Sequence, residues 1–234
     1  MARGSMIGMT MSDGAEIGVY HVEAKGTRRG GLVVIQEIFG ITDHIKAVSD
    51  GFADDGYEVL APSLFDREEP GFVTGYSPDE MQRAIRMARQ MHSFDQSVTD
   101  ACACVAALKD KGPVFMAGYC YGGSVVWGAA CECDGLSAAS SYYGSQLPAM
   151  ADRQPRCPVI AHFGEHDSGI PLEGVREFES AHPEVPVYIY DAGHGFNSDR
   201  PDHHNEAAAT LARQRTLELF RKNSGQGAAR LPVV

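Results

Sequence analysis

Positive charge is scarce in this chain of 234 residues, which has 20 lysines and arginines against 31 aspartates and glutamates, a formal net charge of −11. A surface with this balance repels phosphate groups, so we expect neither a nucleic acid nor a membrane as a partner. The sequence also lacks an apolar run long enough to span a bilayer, and its N-terminus lacks the pattern of a signal peptide. We therefore expect a cytoplasmic protein.

Cysteine is limited to six residues, and their spacing does not favour a metal centre. Cys102 and Cys104 are two residues apart, as are Cys131 and Cys133, and on a helix this spacing directs the two side chains to different faces. A chain of this length can also bury a core without cross-links. We expect free thiols, no metal and no other cofactor.

The length and the 44% hydrophobic content predict a single domain over residues 1–234. Residues 1–6 resemble a cloning remnant and are left out of the fold prediction, and residues 223–234 are expected to form a C-terminal tail. Between them, apolar strands alternate with amphipathic helices. This alternation predicts an α/β fold, with a mostly parallel twisted sheet and helices on both faces.

The most informative stretch is residues 114–123, which read Val-Phe-Met-Ala-Gly-Tyr-Cys-Tyr-Gly-Gly. The pattern predicts a strand, a sharp turn with Cys120 at its tip, and the start of a helix. Gly118 and Gly122 give the clearance that such a turn needs. A helix N-terminus stabilises a thiolate and also an oxyanion, for which the amide of Tyr121 is the first expected donor. Ordinary core packing is the alternative for a lone cysteine.

Two later strands end in candidate partners for this cysteine. Asp167 follows the apolar run 158–163, and His194 follows the run 185–190. Because the carboxyl ends of parallel strands share one edge of the sheet, we expect both side chains near Cys120, in the chain order that α/β-hydrolases use. His194 would accept the thiol proton, and Asp167 would orient the imidazole. Taken singly, Asp167 could instead cap a helix or a turn, and His194 could be a loop histidine whose hydrogen bonds are satisfied locally.

Four motifs together resemble those of the dienelactone hydrolase (carboxymethylenebutenolidase) family of α/β-hydrolases. They are Gln36-Glu37-Ile38-Phe39-Gly40, Gly118-Tyr119-Cys120-Tyr121-Gly122-Gly123, Phe163-Gly164-Glu165-His166-Asp167 and Gly193-His194-Gly195-Phe196. The resemblance covers nearly the whole chain after about Ile17. It implies a hydrolase that opens an enol lactone such as dienelactone, or a related activated ester, through a thioester. The implied catalytic triad is Cys120, Asp167 and His194.

The same resemblance implies a role for the loop that follows the first buried strand. Glu37 is expected to lie beside Cys120 and to take part in switching the thiol to a thiolate when the substrate arrives. The backbone amides of Ile38 and Tyr121 are expected to form the oxyanion hole. Pairing with an arginine, or capping of a helix, is the alternative for Glu37.

The family also holds the substrate carboxylate with two arginines. Arg83 matches the first, with Arg86 as a rival, and a solvated helix face is the alternative for Arg83. The second position is Ser198 in this chain, and the nearest guanidinium belongs to Arg200. The expected substrate-binding residues are therefore Arg83, Arg200, Tyr143 and Phe39.

These departures leave more than one function open. The first hypothesis is a cysteine-dependent hydrolase of a small-molecule lactone or ester. The alternatives are a carboxylesterase of different substrate preference and a non-catalytic thiol-redox or ligand-binding protein of the same fold. We expect a monomer, with a dimer as the alternative.

Overall fold

Short runs of aliphatic and β-branched residues form the centre of an eight-stranded sheet. The computed structural model describes residues 3–225. In chain order the strands are β1 Ser5–Thr10, β2 Glu16–Val22, β3 Gly30–Ile35, β4 Tyr57–Pro62, β5 Val114–Tyr119, β6 Leu136–Tyr142, β7 Val159–Gly164 and β8 Val187–Tyr190. Every residue of β3, β4, β5 and β7 is buried, as expected for strands covered on both faces.

The strands lie in the order β1-β2-β4-β3-β5-β6-β7-β8. β2 pairs antiparallel with both β1 and β4, and the remaining neighbours are parallel. The carboxyl ends of β3, β5, β6, β7 and β8 therefore meet at one edge of the sheet. The predicted α/β fold with a mostly parallel sheet is confirmed.

Six α-helices cover this sheet: α1 Asp43–Asp54, α2 Pro78–Arg86, α3 Phe94–Leu108, α4 Tyr121–Glu132, α5 Leu172–Ala181 and α6 Glu206–Lys222. Side chains close two of the helix starts, because Thr42 accepts a hydrogen bond from the amide of Ile45 and Asn205 accepts one from the amide of Ala208. Within residues 3–225, none of these helices combines the length and apolar character required to cross a bilayer.

Successive residues of β3 show that both faces of the sheet are covered. A side chain at Gly30 would meet the ring of Phe115, whereas one at Gly31 would meet Leu108 of α3. On the Phe115 face, the ring of this residue stacks on Phe220 of α6, with ring centroids 4.7 Å apart. Helices on both faces complete the three-layer architecture.

The N-terminal strand corrects one prediction. Residues 1–6 were left out of the fold as a cloning remnant, but Ser5 and Met6 belong to β1, where they pair with His21 and Tyr20 of β2. An edge strand exposes most of its side chains, so β1 lacks the buried apolar run that marks the central strands. At the other end, α6 ends at Lys222, and residues 226–234 of the expected tail lie outside the described residues.

The cysteines provide a second correction, because Cys102 and Cys133 form a disulfide. Cys102 lies on α3, and Cys133 follows the last residue of α4, the helix packed beside it. As expected, the side chains of Cys102 and Cys104 point to different faces of α3: Cys104 is buried, and Cys102 is directed toward the neighbouring helix. Spacing within one helix carries no information about a cysteine on another, so the prediction of free thiols was wrong for this pair.

Candidate active site

Cys120 occupies a strained turn between β5 and α4. Its φ of 56° and ψ of −114° lie in a region that residues with a side chain rarely adopt. Close backbone packing explains the flanking glycines. A Cβ on Gly118 would lie 2.3 Å from the carbonyl oxygen of Gly122, and one on Gly122 would lie 2.5 Å from that of Gln36. The crowded turn directs the half-buried thiol outward at the edge of the sheet.

The structure brings together the three residues of the predicted triad. His194, in the loop after β8, places Nε2 3.1 Å from the Cys120 sulfur. Its Nδ1 lies 2.6 Å from Oδ2 of Asp167, which follows β7 and has a fully buried side chain. The other oxygen of Asp167 accepts a hydrogen bond from the amide of Gly169. Sulfur, imidazole and carboxylate thus form a continuous path along which a proton can move.

The surroundings of His194 favour its protonated form. Burial of the ring opposes the charge, but the hydrogen bonds to Asp167 and Cys120 more than offset this effect and raise the pKa of His194 to about 10. An imidazolium between a carboxylate and a sulfur atom can stabilise a thiolate. The site can therefore hold a thiolate-imidazolium pair.

Glu37 lies two residues beyond the end of β3, and the residue is only 4% exposed. Burial raises the pKa of its carboxyl group to about 7. The charges of His194 and Arg200 lower it, and the charge of Asp199 raises it. Because these charges act on a group that is poorly hydrated, Glu37 can exchange a proton near neutral pH.

The two amides expected to bind an oxyanion are available for hydrogen bonding. Within residues 3–225, neither the amide of Ile38 nor that of Tyr121 donates to a protein acceptor. Gly122 packs against the carbonyl groups of Ile35 and Gln36, and this contact holds the loop after β3, which contains Ile38, against the first turn of α4. Unpaired amides on adjoining segments, one of them a helix N-terminus, can stabilise negative charge on oxygen.

Tyr143 covers the imidazole from the side of β6. Its φ of 38° is unusual for a tyrosine, and the ring centroids of Tyr143 and His194 are 5.0 Å apart. The side chain is fully buried, and its hydroxyl has no partner among the residues that the structure describes. A buried polar group without a partner is rare in folded proteins, and this one belongs to a ring that packs on His194.

The guanidinium of Arg200, whose charge acts on Glu37, lies 4.9 Å from the ring centroid of Tyr76. Tyr76 also packs edge-to-face on Phe39 and donates a hydrogen bond of 3.1 Å to Asp199. Tyr76 and Asp199 continue into an open pocket of about 270 Å³ that reaches the start of α1. Sequence reasoning did not single out either residue. In the sequence they are distinguished only by lying in loops that follow strands, Tyr76 after β4 and Asp199 after β8.

Arg83 is directed elsewhere. Its guanidinium forms an ion pair with Glu69 and lies 4.9 Å from the ring centroid of Phe72. Together with Arg86 it lines a surface groove beside Met87 and Met91. The structure therefore packs Tyr143 on His194, joins Phe39 and Arg200 through the ring of Tyr76, and engages Arg83 with other partners.

One group in the described part of the chain has ligand atoms close enough for a metal ion: His21, Glu23 and Glu58. Both oxygens of Glu58 already pair with cations, because Lys111 Nζ lies 2.7 Å from Oε1 and Arg28 Nε lies 2.7 Å from Oε2. His21 lies on β2, Glu23 directly after it and Glu58 on β4, whereas the thiol follows β5. Its chemistry is that of an ion-pair cluster.

The fold and the arrangement at the sheet edge define an α/β-hydrolase. The model of the dienelactone hydrolase family matches residues 17–224, and the chain belongs to this family. The family membership expected from the four motifs is confirmed, and the chain is a hydrolase of the dienelactone hydrolase type.

Individual relatives agree with this assignment. Carboxymethylenebutenolidase from Pseudomonas sp. (strain P51) is 31% identical over 216 residues, which are 86% of this chain and 89% of that protein. A relative from Synechocystis sp. is 32% identical over 209 residues, 81% of this chain and 84% of its own length. A solved structure from Klebsiella pneumoniae subsp. pneumoniae is similar in fold, with a TM-score of 0.81 and 23% sequence identity. The structural alignment includes 94% of this chain and 98% of the Klebsiella chain.

Proposed function

We propose that this protein hydrolyses a small lactone or activated ester through a thioester on Cys120. The observation that carries the proposal is the chain of contacts from the Cys120 sulfur through His194 to Asp167. The name of the Pseudomonas relative, carboxymethylenebutenolidase, supports an enol lactone such as dienelactone as the substrate class.

In the first half of the reaction, His194 Nε2 accepts the thiol proton and the Cys120 thiolate attacks the substrate carbonyl carbon. The negative charge that develops on the carbonyl oxygen is stabilised by the amides of Ile38 and Tyr121. The acyl carbon–oxygen bond then breaks, and the leaving oxygen takes the proton from His194. In a lactone this oxygen stays attached to the acyl group, so the product of this half is a ring-opened thioester.

In the second half, His194 Nε2 accepts a proton from water, and the resulting hydroxide attacks the thioester carbon. The carbon–sulfur bond breaks, the thiolate regains its proton from His194, and the carboxylic acid product leaves. Asp167 accepts the Nδ1 hydrogen bond throughout, which keeps the reacting nitrogen directed at the sulfur.

The proposal gives Glu37 a role in the resting enzyme. With a pKa of about 7, its carboxyl group exists in both forms near neutral pH. A charged Glu37 competes with the thiolate for the imidazolium, and a substrate that excludes water from the pocket favours the neutral acid. Substrate binding and thiol activation are linked in this way.

Replacement of Cys120 tests the proposal. Cys120→Ala should lower kcat for p-nitrophenyl acetate by more than about 10³-fold, because the nucleophile is lost and the fold is kept. The matched control is Cys131→Ala, which removes a buried free cysteine from the same helix. Mass spectrometry of the parent with a slow ester should detect an acyl group on Cys120. Turnover by Cys120→Ala at the parent rate would rule out this nucleophile.

A second candidate, a carboxylesterase with a different substrate preference, is favoured by the environment of Arg83. An arginine paired with Glu69 is not free to bind a substrate carboxylate, which leaves Arg200 as the guanidinium near the site. Values of kcat/KM for matched esters with and without a free carboxylate distinguish the candidates. A preference for the carboxylate supports the lactone-acid substrate, and a preference for the neutral ester supports the carboxylesterase. Peroxide oxidation of Cys120 without any esterase activity would support the thiol-redox alternative.

A further inference from the structure

Four polar side chains form a connected path that ends at Tyr121. Glu68 Oε2 lies 2.9 Å from His92 Nδ1, His92 Nε2 lies 2.8 Å from Ser97 Oγ, and Ser97 Oγ lies 2.8 Å from the Tyr121 hydroxyl. None of these side chains takes part in the reaction proposed above. The backbone amide of Tyr121, however, is one of the two expected oxyanion donors.

The order carboxylate, imidazole, hydroxyl is also that of a serine hydrolase, but this group is not a second nucleophilic site. Ser97 has no exposed surface, and its hydroxyl already contacts both His92 and Tyr121. No substrate carbonyl could reach it. The path ends at Tyr121, the residue directly after Cys120.

The local backbone is built to direct His92 inward. A turn of π-helix, Met87–Met91, separates α2 from α3, and the amide of His92 donates a hydrogen bond of 2.9 Å to the carbonyl oxygen of Met87. Such turns are rare, and they change the direction of the residue that follows. The His92 side chain is fully buried, with its ring centroid 5.2 Å from that of Phe65.

The ring of Tyr121 is fixed as firmly as its hydroxyl. Phe65 and Phe94 pack against it with centroid distances of 5.8 Å and 5.9 Å. Tyr121 is the first residue of α4, directly after the strained backbone of Cys120. Two aromatic rings pack against the ring of Tyr121, and Ser97 contacts its hydroxyl. The side chain therefore anchors the Cα atom of Tyr121, to which the amide nitrogen is bonded.

We propose that Ser97, His92 and Glu68 are positioning residues that fix the Tyr121 amide for oxyanion binding, an inference that rests on the proposed function. The carboxylate of Glu68 can only accept, so His92 Nδ1–H donates to it. When the imidazole is neutral, Nε2 then accepts from the Ser97 hydroxyl, and Ser97 accepts from the Tyr121 hydroxyl.

Two reactions of the same sulfur test this inference. Acylation of Cys120 by p-nitrophenyl acetate forms an oxyanion, whereas alkylation by iodoacetamide does not. In Tyr121→Phe and Ser97→Ala, the acylation rate should fall about tenfold, with KM little changed. This loss is smaller than the loss expected when an oxyanion donor is deleted, because the amide is still present but less well positioned. The alkylation rate, read by mass spectrometry on the Cys120 peptide, should stay within about twofold of the parent.

The double variant Tyr121→Phe/Ser97→Ala should be no slower than either single variant, since all three break one path. Ser140→Ala is the matched control: it removes a buried hydroxyl from a separate network, with His162 and Thr216, and should leave both rates unchanged. Equal losses of acylation and alkylation, or no loss of either, would overturn the inference. A parent protein that forms no acyl adduct would overturn the proposed function as well.

Discussion

Glu37 carries a carboxyl group into a place where its charge is poorly hydrated. Its pKa of about 7 lies above the value of 4.5 for a free glutamate, so the folded protein binds this proton more tightly than the unfolded chain does. The contribution of the neutral acid to stability is present below pH 4.5 and is lost as the pH rises through 7. Ionisation of Glu37 therefore lowers the free energy of unfolding under neutral conditions.

Glu37→Gln removes this dependence. Relative to the parent, the variant should gain about 2–3 kcal/mol more in the free energy of unfolding at pH 8 than at pH 5, because glutamine cannot ionise. Urea denaturation at the two pH values measures the difference. Glu177→Gln, an exposed carboxylate on α5, is the control and should follow the parent. Parallel behaviour of Glu37→Gln and the parent would mean that Glu37 does not change its protonation in this range.

At the scale of single residues, a position at the sheet edge could be predicted from the sequence where a side chain follows an apolar strand. Cys120, Asp167 and His194 could be expected at one edge because β5, β7 and β8 have readable apolar patterns. Tyr76 and Asp199 could not, because irregular loops have no period that fixes where they lie. The same limit applies to His92, whose direction depends on a π turn that no residue type specifies.

At the scale of elements, the β5–α4 turn depends on backbone atoms that almost touch. Gly122 has no Cβ, and this allows the first turn of α4 to lie against the carbonyl oxygens of Ile35 and Gln36. Backbone atoms of a central strand cannot move aside in the way that the end of a long side chain can. A methyl group at this position must therefore displace either the strand or the helix.

Gly122→Ala should lower the free energy of unfolding by about 1–3 kcal/mol and should lower kcat, because the displaced helix carries both Cys120 and Tyr121. Gly51→Ala provides the comparison, since an added Cβ in α1 meets only the tip of Arg213, at 3.5 Å. That change should stabilise the protein by about 0.5–1 kcal/mol. Thermal unfolding and esterase assays measure both effects. Equal stability of the two variants would refute the steric account.

Elements with a strong internal pattern were predicted from the sequence, and those defined by their neighbours were not. The buried strands and the elbow turn follow from local residues. β1 is exposed along nearly its whole length and has no buried run, so only its pairing with β2 marks it as a strand. α2 and α3 are separated by a π turn, and His92, directly after this turn, contacts Glu68 in the loop that follows β4.

At the scale of the whole molecule, the disulfide connects α3 to the end of α4 and closes a loop with a sequence separation of 31. A cross-link of this length removes conformations mainly from the unfolded chain, an effect worth about 3–4 kcal/mol. The bond lies at the opposite end of α4 from Cys120. Its effect should therefore be on stability, with little change at the thiol.

Reduction tests this expectation. Dithiothreitol should lower the midpoint of urea unfolding of the parent by an amount that corresponds to about 2–4 kcal/mol, with kcat unchanged where the protein stays folded. The double variant Cys102→Ser/Cys133→Ser should match the reduced parent and should not respond to dithiothreitol. A midpoint that is the same with and without the reductant would show that the bond contributes nothing to stability.

The order in which the strands contribute to the site has a consequence for protein synthesis. Cys120 is made 74 residues before His194, whose imidazole contacts it in the folded protein. A chain emerging from the ribosome can fold its early strands and expose the elbow while the imidazole has not yet been translated. The contact between sulfur and imidazole therefore forms only after β8 and the loop that follows it have been added to the chain.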